Sequence, residues 1–215
     1  MGSVSQRDAT AALIEGRAAL IVIDMQQRGS LPLEEVGIPL MPGFAAQVER
    51  VVRVVDACRA AGVPVVFSQE VHRRDLVDFG RELDGEESIH CLEGDPGTEL
   101  VEELRPREGD YHIKKRRYSC FFGTDLEILL RSLDVQTLLL VGGLTDVCVH
   151  YTFADAHQWD YYVRVLEDCV LGSTVERHNA SLSAMEYLQH GARRTSEEVL
   201  AALGSVAPPA IAQGT

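Results

Sequence analysis

Lysine is nearly missing from this chain: of 20 basic residues 18 are arginine, and the two lysines are neighbours, Lys114 and Lys115. Positive charge is scarce overall, because 33 acidic residues leave a net charge of −13. Nucleic acid and anionic membrane surfaces both recruit basic faces, so this balance argues against either as a partner. Long apolar runs are also lacking, none approaching the ~20 residues that cross a bilayer. The first sixteen residues have neither the basic start nor the apolar centre of a secretion signal, and a cytoplasmic protein is expected. The five cysteines, at 58, 91, 120, 148 and 169, are odd in number and form no CxxC pair. A disulfide framework and a cysteine zinc site are therefore not indicated, and reduced thiols are expected.

What is present reads as one domain, since 215 residues at 46% hydrophobic content suffice for a single sizeable core. Residues 1–17 read as a polar N-terminal arm, 18–203 as the domain and 204–215 as a flexible tail. Strand-length apolar runs at 18–25, 63–68, 110–114, 136–141, 161–166 and 192–195 alternate with helical spacing at 44–61, 98–104, 125–133, 145 onward, 174–189 and 196–203. The runs AALIVIDM and VPVVFS are apolar throughout, as strands covered on both faces are. The pattern predicts a three-layer α/β/α doubly wound fold with a mainly parallel sheet of about six strands and right-handed crossovers. The long acidic segment 69–96 has no clear period and is expected to cover a site.

In such folds ligands sit beyond the carboxyl ends of the strands. Three chemically capable residues fall there: Asp24 after the first strand, Lys115 after the third and Cys148 after the fourth. The stretch LLLVGGLTDVCVHYTFADAH sets Cys148 in the first turn of a helix, where unpaired N–H groups and the helix dipole favour a thiolate. An inert core cysteine, a loop-capping Asp24 and a solvated Lys115 are the competing readings of the same residues. Lysine has a compact ammonium whose pKa can be shifted, which arginine cannot imitate.

ALIVIDMQ at Ala19–Gln26, KxRYSxFFGTDLExLL at Lys115–Leu130, GGLTDVCV at Gly142–Val149, and the following TxxDA and LEDC together resemble the isochorismatase-like cysteine hydrolase superfamily. The similarity runs over about residues 18–200. It is nearest to the biuret hydrolase and ureidoacrylate amidohydrolase branch. The resemblance implies a catalytic trio of Asp24, Lys115 and Cys148, with Lys115 chosen over Lys114 by the pattern Lys-x-Arg-Tyr-Ser. It further implies a non-proline cis peptide at Gly143–Leu144, an oxyanion hole from the backbone N–H groups of Leu144 and Cys148, and a homodimer or homotetramer.

Isochorismatases proper lack the thiol and hydrolyse a vinyl ether. With Cys148 present, the expected activity is a cysteine-dependent amidohydrolase that cleaves a small-molecule amide, carbamoyl or ureide substrate through a thioester and releases ammonia. A vinyl ether hydrolase and a catalytically silent ligand-binding member are the alternatives. Nicotinamidases also resemble the chain but carry a metal on one Asp and two His. Here Glu70 and His72 stand in the matching place and the next histidine, His90, is too distant in sequence to count, so no metal and no cofactor are expected. Gln26, His72, Tyr118 and Phe121 are the expected substrate contacts.

Overall fold

The protein is described from a computed structural model covering residues 11–204, apart from 33, 34 and 36. Residues 205–215 of the expected tail and the first ten residues of the expected arm lie outside the described residues. Six strands form one sheet: β1 (Ala18–Ile23), β2 (Val65–Glu70), β3 (Tyr111–Lys115), β4 (Thr137–Gly143), β5 (Tyr162–Leu171) and β6 (Arg193–Arg194). Their order is β3-β2-β1-β4-β5-β6, and every pairing is parallel. The helices are α1 (Phe44–Ala60), α2 (Leu126–Ser132), α3 (Cys148–Gln158), α4 (Val175–Leu188) and α5 (Ser196–Gly204). None of them is long and apolar enough to cross a membrane.

Side chains alternate across a strand, so β1, buried at all six positions, feeds two cores. Ala19, Ile21 and Ile23 pack with Leu126 and Leu130 of α2, Val149 and Phe153 of α3, and Leu182 and Met185 of α4. Leu20 and Val22 pack instead with Val51, Val54 and Val55 of α1 and Val199 and Leu203 of α5. Three layers result, with β1 and β4 in the interior of the sheet.

Boundaries differ from the expected ones where tertiary contacts outweigh local pattern. Strand β2 runs two residues further than the apolar run VPVVFS, because Gln69 and Glu70 pair in register with Lys114 and Lys115. Residues 98–104 form no helix but two short 3-10 turns, Pro96–Thr98 and Glu102–Leu104, separated by a bridge from Leu100 to Gln26. Strand β5 continues to Leu171 past a register shift opposite Leu140 and Gly142. The residues just before β1 are not a loose arm: buried Arg164 of β5 donates to the carbonyls of Ala12 and Leu13, and Thr137 exchanges hydrogen bonds with Glu15.

Gly142 shows how tightly β4 sits against β1. Its φ is +113°, and a Cβ there would lie 2.0 Å from the carbonyl oxygen of Ile23. At Gly43, φ is also positive at +115°, yet no atom lies within 4 Å of the corresponding Cβ. Gly142→Ala should therefore lower stability by at least ~2 kcal/mol, and Gly43→Ala by the smaller backbone term alone. Urea unfolding midpoints of the two variants test this ordering.

Candidate active site

The strand order 3-2-1-4 sets four consecutive carboxyl ends side by side, and each carries a reactive group. Asp24 follows β1 in a left-handed conformation with φ 51°. Its Oδ1 accepts a 2.9 Å hydrogen bond from the Ser68 hydroxyl. Lys115 closes β3, with Nζ 2.8 Å from Asp24 Oδ2 and 3.0 Å from Glu70 Oε2. The same ammonium donates to the Arg117 carbonyl at 2.9 Å and lies 3.4 Å from Cys148 Sγ. Cys148 is the first residue of α3, which begins there rather than at Thr145. The peptide bond Gly143–Leu144 ahead of it is cis.

Strand alternation separates the two lysines: Lys115 is buried, whereas Lys114 is exposed. The missing partner was Glu70. Its Oε2 is 3.6 Å from Cys148 Sγ. A buried ammonium is costly alone and becomes favourable only when carboxylates surround it.

Burial and partners divide the titrations. Burial pushes the Asp24 carboxyl above its ordinary range, outweighing the pull of the Lys115 ammonium. Burial acts the same way on Glu70, but there Lys115 and hydrogen bonds to His72 and His90 prevail and hold it well below the usual carboxylate range. Lys115 is also desolvated, and Asp24, Cys148 and Glu70 nonetheless raise it well above a free lysine. The Cys148 thiol is pushed well above its ordinary value by burial, which Lys115 opposes. At the helix start, burial therefore opposes the thiolate that the helix end and Lys115 favour, and the Asp24 and Glu70 carboxylates lie beside the sulfur.

Glu70 also faces away from the sulfur. Its Oε1 lies 3.1 Å from both His72 Nε2 and His90 Nε2, and Glu82 Oε2 lies 3.1 Å from His72 Nε2. These four side chains are buried and offer one donor atom each within 4.8 Å of one another. Neither Glu82 oxygen receives a hydrogen bond among the described residues. Two imidazoles and two carboxylates, one of them buried without a hydrogen bond, fit a divalent cation of the zinc, iron or manganese type. The expectation of no metal rested on His90 being too distant, and that reason fails: segment 73–89 loops out and returns His90 to Glu70. In the absence of an ion these carboxylates push His72 up to about 9 against its burial.

A cleft opens over the sulfur, bounded by Asp24, Glu70, His90, Tyr118, Leu144 and Cys148. Tyr118 lines it, its hydroxyl donating to Glu87 at 3.1 Å. Two expected substrate contacts, His72 and Phe121, need correction. His72 is fully buried outside the cleft lining, its ring stacked on Phe79 at 3.9 Å. Phe121 turns into the core beside Tyr161, because the turn after Ser119 directs it inward. Gln26 borders the cleft, but its amide nitrogen donates to the carbonyls of Glu70 and Thr98, so it braces the wall.

A parallel α/β sheet that brings a thiol and two carboxylates to one cleft, with a buried ammonium in contact with all three, is the arrangement of a cysteine-bearing hydrolase. The sequence pattern of the isochorismatase domain matches residues 18–198, and the chain belongs to that family, as an isochorismatase-like hydrolase. It is 34% identical over 174 residues to a probable inactive nicotinamidase of Arabidopsis thaliana, covering 78% of this chain and 87% of that protein. It is likewise 34% identical over 174 residues to the ureidoacrylate amidohydrolase of Yersinia enterocolitica, covering 70% and 74%. A cysteine hydrolase from Pseudomonas syringae pv. phaseolicola superposes with a TM-score of 0.79 at 29% identity, over 89% of this chain and 94% of its own.

Isothermal titration with zinc, after chelator treatment, should show one ion bound per chain. His90→Ala and Glu82→Gln should each weaken binding by about tenfold or more. No binding by the unaltered protein would mean that protons on the two histidines balance the carboxylates instead.

Proposed function

We propose that the protein is a cysteine-dependent amidohydrolase that cleaves the carbon–nitrogen bond of a small amide, carbamoyl or ureido substrate, with a thioester intermediate and release of ammonia. The observation that carries this is the single ammonium of Lys115 in contact with Asp24, Glu70 and the Cys148 sulfur. The name of one relative, the ureidoacrylate amidohydrolase of Yersinia enterocolitica, supports the same chemistry.

Two carboxylates lie near the thiol, and their environments assign them different roles. Glu70 is held ionised by Lys115 and the histidines, which makes it the weaker base. Asp24, raised by burial, is the better proton acceptor. It takes the proton of Cys148, and the thiolate attacks the substrate carbonyl carbon. The oxyanion is met by the backbone N–H groups of Leu144 and Cys148, both at the cleft wall. As the carbon–nitrogen bond breaks, Asp24 returns the proton to nitrogen and ammonia leaves. Asp24 then draws a proton from water, whose oxygen attacks the thioester; the carbon–sulfur bond breaks, and the sulfur regains a proton from Asp24. Lys115 holds both charges in place throughout.

A divalent cation, when bound, would be held by Glu70, His72, Glu82 and His90 and would supply Lewis-acid polarisation at the wall where Glu70 and His90 border the cleft. The vinyl ether reading has no use for the thiol. It predicts that Cys148→Ala keeps activity.

Ammonia release from a panel of amides and ureides measures the outcome. Cys148→Ala should abolish turnover, and Asp24→Asn and Lys115→Ala should each lower kcat/KM by about 10²–10⁴. Lys114→Ala should change it less than about twofold, as a solvated surface cation should. Activity retained without the thiol would reject the proposal. Brief iodoacetamide treatment followed by peptide mass spectrometry should label Cys148 ahead of the other four buried cysteines.

A further inference from the structure

We propose that the cleft accepts uncharged primary amides with an apolar body and rejects carboxylate-bearing ones, and that Glu87 sets this preference. The inference rests on the amidohydrolase reading and narrows its substrate class. The cleft above the sulfur is walled largely by carbon, from Met25, Ile38, Leu40, Phe44, Val147 and Leu171. A carboxylate placed among them would need a cation with a hydrogen bond to give.

The cations that border the cleft are already engaged. Arg28 is bound to Asp95 at 3.0 Å. His90 lies between Glu70, at 3.1 Å from Nε2, and the Ser88 carbonyl, at 2.6 Å from Nδ1. Beneath them, the Lys115 ammonium faces Asp24, Glu70 and the Arg117 carbonyl, which matches its three hydrogens.

Glu87 adds negative charge where a substrate must pass. Its side chain is 14% exposed, and Oε2 accepts from the Tyr118 hydroxyl at 3.1 Å, with His90 Nε2 at 3.9 Å. Glu87, Tyr118 and Val147 line both the cleft and a shallower groove outside it, so the two are continuous. That groove is bordered by Glu82, Glu86, Glu87 and Asp146 against one guanidinium, Arg177, which is paired with Glu86. An anion meets an acidic approach and then a carbon-lined cleft in which every cationic side chain among the described residues is already engaged. An uncharged amide meets neither barrier, and Glu87 can accept a hydrogen bond from it.

Two alkylating reagents of nearly equal size read this preference directly at Cys148: iodoacetamide, itself an uncharged primary amide, and iodoacetate. Each rate constant on the full-length protein is divided by that on N-acetylcysteine at the same pH, which removes intrinsic reactivity. The normalised ratio should favour iodoacetamide by about tenfold or more, and Glu87→Gln should reduce it at least about threefold at low ionic strength. Glutamine preserves the acceptor for Tyr118, and a merely structural effect would move both reagents alike. Ammonia release from butyramide and its carboxylate analogue succinamate should follow the same order. A ratio at or below one, or a ratio unmoved by Glu87→Gln, overturns the inference and leaves the amidohydrolase reading intact. Failure of iodoacetamide to modify Cys148 overturns both.

Discussion

A lysine ammonium buried between two carboxylates and a thiol is the interaction on which the rest of this active site depends. Removed from water, a lone ammonium would lose its proton or unfold its surroundings. Here Asp24 and Glu70 keep it charged, and it in turn lets two acids and a sulfur share one dry corner. The sheet supplies the geometry: four adjacent parallel strands end at one edge, and their last or following residues converge without any long loop having to position them.

The same corner explains why the two carboxylates beside the sulfur are not equivalent. Glu70 reaches Lys115 and two imidazoles, and its negative charge is held in place. Asp24 has one cation and a serine hydroxyl against a larger burial effect, so its proton affinity rises. A group that must both take and return a proton needs that intermediate character. Glu70 also joins the reacting corner to the His72–Glu82–His90 cluster, one oxygen serving each side.

Much of this was legible in the chain. The apolar runs are long enough and the helix spacing regular enough to expose a three-layer fold. Asp24, Lys115 and Cys148 each sit at a strand end, where motif and topology agree. The unread parts share a cause: they depend on contacts between distant segments. Glu70 looked like loop because the apolar run stops at Ser68, although pairing with β3 extends the strand to it. His90 returns to the site only because residues between it and His72 fold outward, which no local pattern records. Phe121 lies within the most telling motif, yet its direction is set by a turn that aims it at Tyr161. The burial that opposes the thiolate was unread for a related reason, since a helix N-terminus is a local feature and burial is a global one.

The central claim is that Cys148, assisted by Lys115 and Asp24, adds to a substrate carbonyl. Carbon-13 NMR of the protein with butyraldehyde labelled at its carbonyl carbon tests this without knowledge of the natural substrate. A thiohemiacetal resonance should appear, vanish in Cys148→Ala and weaken in Lys115→Ala. Only free aldehyde and its hydrate in the unaltered protein, or an adduct that persists without Cys148, would contradict it.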